Sequence, residues 1–485
     1  MNYRTPGAYI EEVAKFPASV VPVATAIPVF FGFSQRTQYK GTDLVNAPMR
    51  ITSLLEFEQV FGTAPPLGNF AVSVDPDGAV LAGVGDPEAM AATQALAAFK
   101  LHYAIRHFYL NGGGICYICS LGDFSARRPA GIAQAHLDGL AAVALEDEPT
   151  LLVMPDLSAI TPADETAQAA ADARAQYHLV LVQALAQCGT LGDRFVIGDL
   201  FDGRTEGQTP ADDFRDGIGT SNLKYGAVYH PHLSTTLGWL WDEATITVSQ
   251  LAVRQDDGTI LSPSPFDGEN MTQLVESNPA LYGALRGALD GQFVTLPPGP
   301  AVAGVYATVD RTRGVWQSPG NVSLAGVRDF AVEIDRDLND HLNLHPSGKS
   351  INALRSFTGR GAMVWGARTL AGNDNNWRYA SVRRFFNMAE ESCKKATFAY
   401  VFEPNTAATW AKVKGMIENF LTVQWRNGAL AGAQPADAFY VRVGLGQTMT
   451  AQDVLDGVMT VEIGMAVIRP AEFIVLQFSH KRPQA

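Results

Sequence analysis

The sequence is poor in cysteine and has no long apolar runs. Four cysteines in 485 residues cannot form the dense disulfide framework of a small secreted protein, so we expect folding in a reducing cytoplasm. No apolar run approaches the roughly 20 residues needed to cross a bilayer. Met1–Ala14 lacks a basic segment followed by an apolar one. We therefore expect neither a secretory leader nor direct membrane insertion.

Clustered positive charge is also missing. Lys and Arg number 36 against 49 acidic residues, which gives a net charge of −13. Nucleic-acid binding requires grouped Lys and Arg side chains that neutralise phosphates. The nearest basic runs, Arg383–Arg384 and Lys394–Lys395, lie in helical patterns and are predicted to be solvated helix faces. Nucleic acid is therefore not an expected partner.

The remaining composition is that of a globular chain. Hydrophobic residues make up 47% and charged residues 18%, and the length suggests two or three domains. Apolar strand-like runs alternate with long amphipathic segments, which predicts an α/β domain with a largely parallel sheet. The predicted strands are Ile27–Phe33, Ile115–Cys119, Thr150–Met154, Phe195–Ile197 and Tyr225–Tyr229, and the predicted helices are Leu96–Leu110 and Ala163–Cys188.

The predicted fold class is α/β and multi-domain, with extended arms at both ends. An N-terminal arm at 1–22 precedes a central α/β region at 23–325. A β-rich insertion at about 239–300 contains a predicted hairpin over Thr245–Leu261. An α+β C-terminal domain at 326–470 is followed by an arm strand at 471–485. The predicted helices of that domain carry apolar faces at Val382–Ala396 and Trp410–Gln424, and its predicted strands are Phe439–Val443 and Thr460–Val467.

Two short motifs could bind metal, and neither has the expected context. Cys116 and Cys119 form a CxxC on a predicted strand, where an offset of three places the thiols on opposite faces. His341 and His345 are four residues apart, a spacing that chelates zinc on a helix. However, Leu342 replaces the general-base Glu of HExxH, and Pro346 ends the helix. His230 and His232 have no evident third ligand, and we predict no metal site.

Phosphate-binding and catalytic signatures are incomplete. Ser347–Ser350 resembles the end of a phosphate-binding loop, but Asn343 stands where the first glycine is required. No GxSxG nucleophile elbow occurs. We therefore predict no catalytic residue and no cofactor. An α/β hydrolase-like enzyme with no recognisable site remains the alternative class.

Several ordered motifs resemble those of contractile tail sheath proteins. The resemblance covers residues 1–30 and about 300–480. The matching segments are Thr5–Val13, Phe16–Val20, Ala24–Pro28, Ala303–Tyr306, Arg313–Pro319, Arg360–Leu370, Trp377–Tyr379, Val382–Arg384, Glu390–Ser392, Phe402–Asn405 and Arg469–Phe473.

The resemblance implies a structural subunit and not an enzyme. Such subunits form stacked six-fold rings around a rigid inner tube and contract to drive the tube through a target envelope. The implied partners are further copies of this chain, an inner tube protein, and baseplate and terminal cap proteins. Assembly is expected in the bacterial cytoplasm, as part of a phage tail or a released tail-like particle. The C-terminal run slightly favours an extracellular contractile injection system over a phage.

The resemblance also implies that both arms add strands to sheets of neighbouring subunits. An extended segment can pair its main chain with an exposed sheet edge. The expected surface for the inner tube is the polar side of the Trp410–Trp425 helix. The expected subunit-interface residues are Thr5, Pro6, Gly7, Ala8, Tyr9, Ile10, Glu11, Glu12, Val13, Glu472, Phe473, Ile474, Val475, Leu476, Gln477 and Phe478, and the expected tube-facing residues are Lys412, Lys414 and Glu418.

Overall fold

A computed structural model describes residues 19–75, 95–124, 131–164, 166–249, 253–261 and 266–473. The chain forms two compact units. The first, called the α/β unit below, spans Ala24–Phe385. The second, called the C-terminal unit, comprises Phe386–Ala485 with the N-terminal residues up to Val23. The boundary falls between Phe385 and Phe386, whereas the sequence placed a domain boundary at 325–326.

The α/β unit is organised around a large mixed sheet. Its six central strands are mutually parallel, and antiparallel strands lie at both sides. Central strands such as Pro28–Gly32 are buried along their whole length, which explains their continuous apolar sequence. In spatial order the strands of this sheet are Val322–Ser323, Gly361–Val364, Asn352–Phe357, Gly226–His230, Phe195–Asp199, Leu151–Val153, Pro28–Gly32, Cys116–Ser120 and Met49–Ile51.

The strand order is that of a doubly wound sheet. The chain starts at Pro28–Gly32, moves to one side for Cys116–Ser120, and then continues on the other side from Leu151–Val153 onward. Helices cover both faces, so the predicted α/β class is confirmed. One face carries Ile132–Val143, Ala167–Leu191, Thr209–Gly217 and Arg336–Asn343, and the other carries Leu54–Phe61, Leu101–Leu110 and Gly299–Arg313.

The predicted hairpin region contains one antiparallel pair and one parallel pair, whereas the sequence indicated a single hairpin. Val253–Arg254 pairs antiparallel with Ile260–Leu261, as a hairpin should. Thr247–Ser249 instead pairs in parallel with Ala71–Ser73, a segment far away in sequence. Two helices, Met271–Ser277 and Pro279–Asp290, pack on this pair through a core of their own. Within its described residues the 239–300 segment is therefore helical as well as β-structured.

Smaller elements complete the α/β unit. Leu233–Gly238 lies between Phe293–Leu296 and Val327–Phe330 in a three-stranded antiparallel sheet. Gln38–Tyr39 pairs with Thr42–Asp43. The 3₁₀ helices are Ala95–Ala98, Pro155–Ala159 and Leu223–Tyr225.

The C-terminal unit is α+β. The helix Ala380–Thr397 contains the boundary between the units, and the helix Ala407–Arg426 lies within the C-terminal unit. Gly428, with φ of 84°, follows the second helix and takes the left-handed conformation that ends it. Short helices Pro435–Ala438 and Ala451–Leu455 flank the strand Phe439–Arg442, which pairs with Glu462–Met465. No helix among the described residues combines the length and apolar character that a bilayer span requires.

Candidate assembly surfaces

The two-stranded sheet of the C-terminal unit has hydrogen-bonding edges that no described strand occupies. Phe439–Arg442 and Glu462–Met465 run antiparallel, with Phe439 opposite Met465 and Arg442 opposite Glu462. Among the described residues each strand has one ladder partner, so one side of each strand is unpaired. An unpaired strand edge offers its N–H and C=O groups to another chain.

One face of this sheet is held by packing, and the other is polar. Val441 is 4% exposed, and its strand packs on the helix Ala407–Arg426. On the opposite side the Tyr440 hydroxyl donates to Glu462 at 2.7 Å, and the Arg442 guanidinium lies 4.6 Å from the Tyr440 ring centre. The sheet therefore has a fixed position within its unit.

The helix Ala407–Arg426 buries one face and exposes the other. Its buried residues are Thr409, Val413, Met416, Ile417, Phe420, Leu421 and Gln424. Lys412, Lys414 and Glu418 lie off that face, as the apolar periodicity predicted. Lys414 and Glu418 form an exposed i,i+4 ion pair at 3.8 Å. Their proposed contact with an inner tube stays a prediction.

An exposed apolar turn precedes this helix. Phe398, Val401 and Phe402 have exposed fractions of 63%, 55% and 103%. Phe402 also has a φ of 70°, in the left-handed region that costs a bulky residue about 1–2 kcal/mol. We call residues 398–402 the aromatic turn. Two features of the aromatic turn are unfavourable: its apolar side chains are exposed to water, and Phe402 has a strained backbone conformation.

A buried ion pair fixes the chain just after the predicted N-terminal arm. The Arg384 guanidinium donates to both carboxylate oxygens of Asp310, and the two side chains are only 3% and 6% exposed. Arg384 also donates to the Thr25 carbonyl at 3.1 Å, and the Thr25 hydroxyl donates to Asp310 at 2.6 Å. Residue 25 therefore has a fixed position in the α/β unit.

The structure overturns one expectation about charge. Arg383 and Arg384 are 2% and 4% exposed and do not form a solvated face. Arg383 stacks on Trp377 at 4.4 Å from the ring centre, and Arg384 pairs with Asp310. Periodicity identified the helix correctly but gave no sign of the Trp377 ring, which precedes the helix, or of Asp310, which is 74 residues from Arg384. Lys394 is exposed as expected, Lys395 is partly exposed, and both approach Glu391.

The cysteine motif is structural. Cys116 and Cys119 lie in one strand and belong to the apolar clusters on opposite faces of the sheet, which confirms the prediction from their spacing. Burial raises the pKa of both thiols to about 12. Cys188 and Cys393 are buried and unpaired as well. None of the four has the accessible thiolate that redox or metal chemistry needs.

The phosphate-loop-like segment is occupied by internal contacts. The Lys349 ammonium donates to the Arg215 carbonyl, and the Ser350 hydroxyl donates to the Asn343 carbonyl at 2.7 Å. These groups, which would face a phosphate in a true loop, instead fix the segment between the helix Arg336–Asn343 and the strand Asn352–Phe357.

Two buried carboxylates lie at or just after the ends of parallel strands, and the sequence pattern did not single them out. Asp156 accepts the backbone N–H groups of Phe33 and Lys100 at 2.7 and 2.6 Å. Asp199 accepts the N–H of Gly299 at 2.7 Å. Burial raises the pKa of each carboxyl to about 7. Both side chains accept hydrogen bonds from backbone N–H groups of other segments, so they hold those segments against the ends of the strands.

The predicted arm residues lie largely outside the described part of the chain. Thr5–Val13 and Ile474–Phe478 are not described. Glu472 and Phe473 are described, lie outside any strand and are exposed, with Phe473 at 65%. The arm assignment is therefore still a prediction.

The C-terminal part of the chain belongs to a class of assembly-forming tail proteins. The family described as phage tail sheath C-terminal domain matches residues 372–481. The tail sheath protein of Vibrio phage KVP40 is 29% identical over 124 residues, which is 25% of this chain. This match spans 18% of the length of the curated relative.

Solved structures extend the similarity to the whole chain. The anti-feeding prophage helical sheath in its contracted state is 30% identical with a TM-score of 0.61, covering 99% of this chain and all of that one. The contracted sheath complex of PVC, an extracellular contractile injection system, is 27% identical with a TM-score of 0.62, covering 99% of both chains. A chain of the anti-feeding prophage baseplate is 30% identical with a TM-score of 0.62, covering 99% and 100%. The chain belongs to the contractile sheath protein family.

Proposed function

We propose that this protein polymerises as stacked six-fold rings around an inner tube and contracts to drive that tube through a target envelope. The full-length similarity to two injection-system sheaths carries the proposal. Their coverage of almost the whole chain, against 25% for the phage relative, favours an extracellular injection system over a phage tail. The role is structural and uses no catalytic group of the chain.

Copies are linked by exchanged strands. In this proposal the arms Thr5–Val13 and Glu472–Phe478 pair with the open edges of the sheet Phe439–Arg442/Glu462–Met465 in neighbouring copies. Support comes from the unpaired edges and from the exposure of Phe473. Nine extended residues span about 30 Å, enough to reach a neighbour. Contraction then moves folded bodies as rigid units while the strand links persist.

Deletion of residues 1–13 tests the links. The full chain should form tubes or rings visible by electron microscopy, and the truncated chain should stay a soluble monomer with unchanged circular dichroism. Since all four native cysteines are buried, introduced thiols can then report pairing selectively. Ala8→Cys in one tagged copy and a cysteine at each of 462–465 in another should form a disulfide between copies.

The matched control for cross-linking replaces the sheet position by Asp147→Cys, an exposed site in the α/β unit. Cross-links between copies should be absent with that control. Long sheaths of normal appearance from the 1–13 deletion would contradict the arm assignment. A small discrete oligomer of the full chain would instead favour the enzyme alternative.

A further inference from the structure

One cluster of metal-ligating side chains is distinct from the assembly surfaces. Asp212, on the helix Thr209–Gly217, faces His341, on the helix Arg336–Asn343, and His345, two residues beyond the end of that helix. One carboxylate oxygen and two imidazole nitrogens lie within 4.8 Å of one another. We predicted no metal here because Leu342 replaces the Glu of HExxH and Pro346 ends the helix. The local pattern could not reveal Asp212, which is 129 residues from His341.

The separations fit a tetrahedral ion after small side-chain movements. Asp212 Oδ1 lies 2.9 Å from His341 Nε2 and 3.9 Å from His345 Nε2. Ligand atoms of a tetrahedral site with bonds of about 2.1 Å are roughly 3.4 Å apart. The observed distances fall on either side of that value. The three side chains are 46%, 18% and 25% exposed, so an ion can reach them from solvent.

The contacts around His341 involve one acceptor oxygen and two nitrogen groups. Asp212 Oδ1, His341 Nε2 and Arg215 Nη1 lie 2.9–3.0 Å from one another. Guanidinium N–H groups only donate, carboxylates only accept, and a neutral imidazole nitrogen does one or the other. If Nε2 is protonated, Asp212 Oδ1 accepts hydrogen bonds from both Nε2 and Arg215 Nη1. If Nε2 is unprotonated, it accepts from Arg215 and faces the Asp212 acceptor.

A metal ion can take the place of the proton between His341 and Asp212. When Nε2 and Oδ1 both bind one ion, their lone pairs point to the same charge. Arg215 keeps firm anchors of its own, because it donates to the carbonyls of His341, Leu342 and Lys349. It also keeps Asp212 as an acceptor and so orients that ligand. The nearby guanidinium charge lowers the affinity, which we expect to be micromolar.

We propose that Asp212, His341 and His345 bind a divalent transition-metal ion of the zinc type, with the fourth position left to water. Two imidazoles select Zn²⁺, Co²⁺ or Ni²⁺ over Mg²⁺ and Ca²⁺. The bound ion ties the helix Thr209–Gly217 to the end of Arg336–Asn343. It therefore acts as a structural clamp within the α/β unit and is independent of strand exchange.

Titration of the full chain with Co²⁺, followed by its visible absorption bands, tests the site. The other six described histidines are at most 9% exposed, so they contribute little background, and His480→Ala removes the remaining histidine of the sequence. One Co²⁺ per chain should bind in the His480→Ala variant, and Zn²⁺ should displace it. Millimolar Mg²⁺ should not.

His345→Ala and Asp212→Asn, each in the His480→Ala background, should weaken Co²⁺ binding by at least about tenfold. His345→Ala removes contacts of a partly exposed ring to Ser347, Asp212 and His341, so it should fold normally by circular dichroism. Zn²⁺ should raise the melting temperature of the His480→Ala chain and not that of His345→Ala. Unchanged affinity in both variants, or no stoichiometric Co²⁺ binding in the parent, would overturn the proposal.

Discussion

The sheets of the two units use their hydrogen-bonding capacity very differently. In the α/β unit, six parallel strands lie between antiparallel neighbours and are covered by helices on both faces. In the C-terminal unit, two strands of four residues pair only with each other among the described residues. A two-stranded sheet alone is marginally stable in water. The sheet of the α/β unit is thus covered within its own unit, whereas added strands would stabilise the two-stranded sheet of the C-terminal unit.

The distribution of apolar surface follows the same division. Large side chains of the central strands, such as Phe30 and Phe195, have no exposure, while Phe398 and Phe402 in the C-terminal unit are mostly or fully exposed. Burial is worth about 25 cal/mol per Å² of apolar area. The exposed aromatic surface of the C-terminal unit therefore represents free energy that is gained only when a partner covers it.

The largest expected effect on the α/β unit comes from breaking its buried ion pair. Arg384→Met leaves the Asp310 carboxylate buried without its cation, which should lower the free energy of unfolding by about 3–5 kcal/mol. The double variant Arg384→Met, Asp310→Leu should recover most of that loss, because no charge is left unpaired. Chemical denaturation measures both. Equal stability of the single variant and the parent would show that the pair is solvated.

The sequence anticipated the elements better than their long-range partners. Strand runs such as Phe195–Ile197 and helix faces such as Val413–Ile417–Phe420 were predicted correctly because their periodicity is a local property. The α+β character predicted for 326–470 also agrees with the helices and the strand pair found after residue 386.

The errors share a cause, which is distance along the chain. Arg384 pairs with Asp310, which is 74 residues away along the chain. Asp212 contacts His341, which is 129 residues away. Thr247–Ser249 pairs with Ala71–Ser73, where the pattern indicated a local hairpin. Spacing within a segment carries no information about these partners. The assembly surfaces were inferred from resemblance because an arm that pairs with another copy leaves no pattern within one chain.

The buried Asp199 should make the α/β unit less stable at higher pH. Burial raises the pKa of this carboxyl to about 7 from its usual 3.8. Between these values the folded chain holds a proton that the unfolded chain releases, so the free energy of unfolding falls as pH rises. Asp199→Asn keeps an acceptor for the Gly299 N–H and carries no charge.

The expected gain of Asp199→Asn is therefore pH-dependent. At about pH 8 it should be more stable than the parent by up to about 4 kcal/mol, and near pH 4 the two should be equal. Urea unfolding at several pH values measures the difference. A stability difference that is the same at both pH values would show that the carboxyl is not buried in its neutral form.

In the C-terminal unit, one substitution in the aromatic turn should raise the free energy of unfolding and weaken assembly. Phe402→Asn replaces a fully exposed aromatic residue at φ of 70° by one that tolerates this conformation. The free energy of unfolding should rise by about 0.5–1 kcal/mol, while assembly into tubes should weaken. Thermal melts and electron microscopy measure the two effects. Leu145→Asn, an exposed apolar site at 88% in the α/β unit, is the matched control and should leave assembly unchanged.

The smallest expected effect concerns the exposed face of the helix Ala407–Arg426. Lys414 and Glu418 are both 43% exposed, and such i,i+4 pairs contribute only about 0.3–0.5 kcal/mol. Lys414→Ala should therefore hardly change unfolding of the isolated chain. If this face binds an acidic inner tube, the combination Lys412→Ala, Lys414→Ala should reduce co-sedimentation of sheath with tube, most clearly at low salt, because screening weakens exposed charge pairs. Unchanged co-sedimentation at every salt concentration would remove this face as the tube contact and leave the strand edges as the unit's assembly surface.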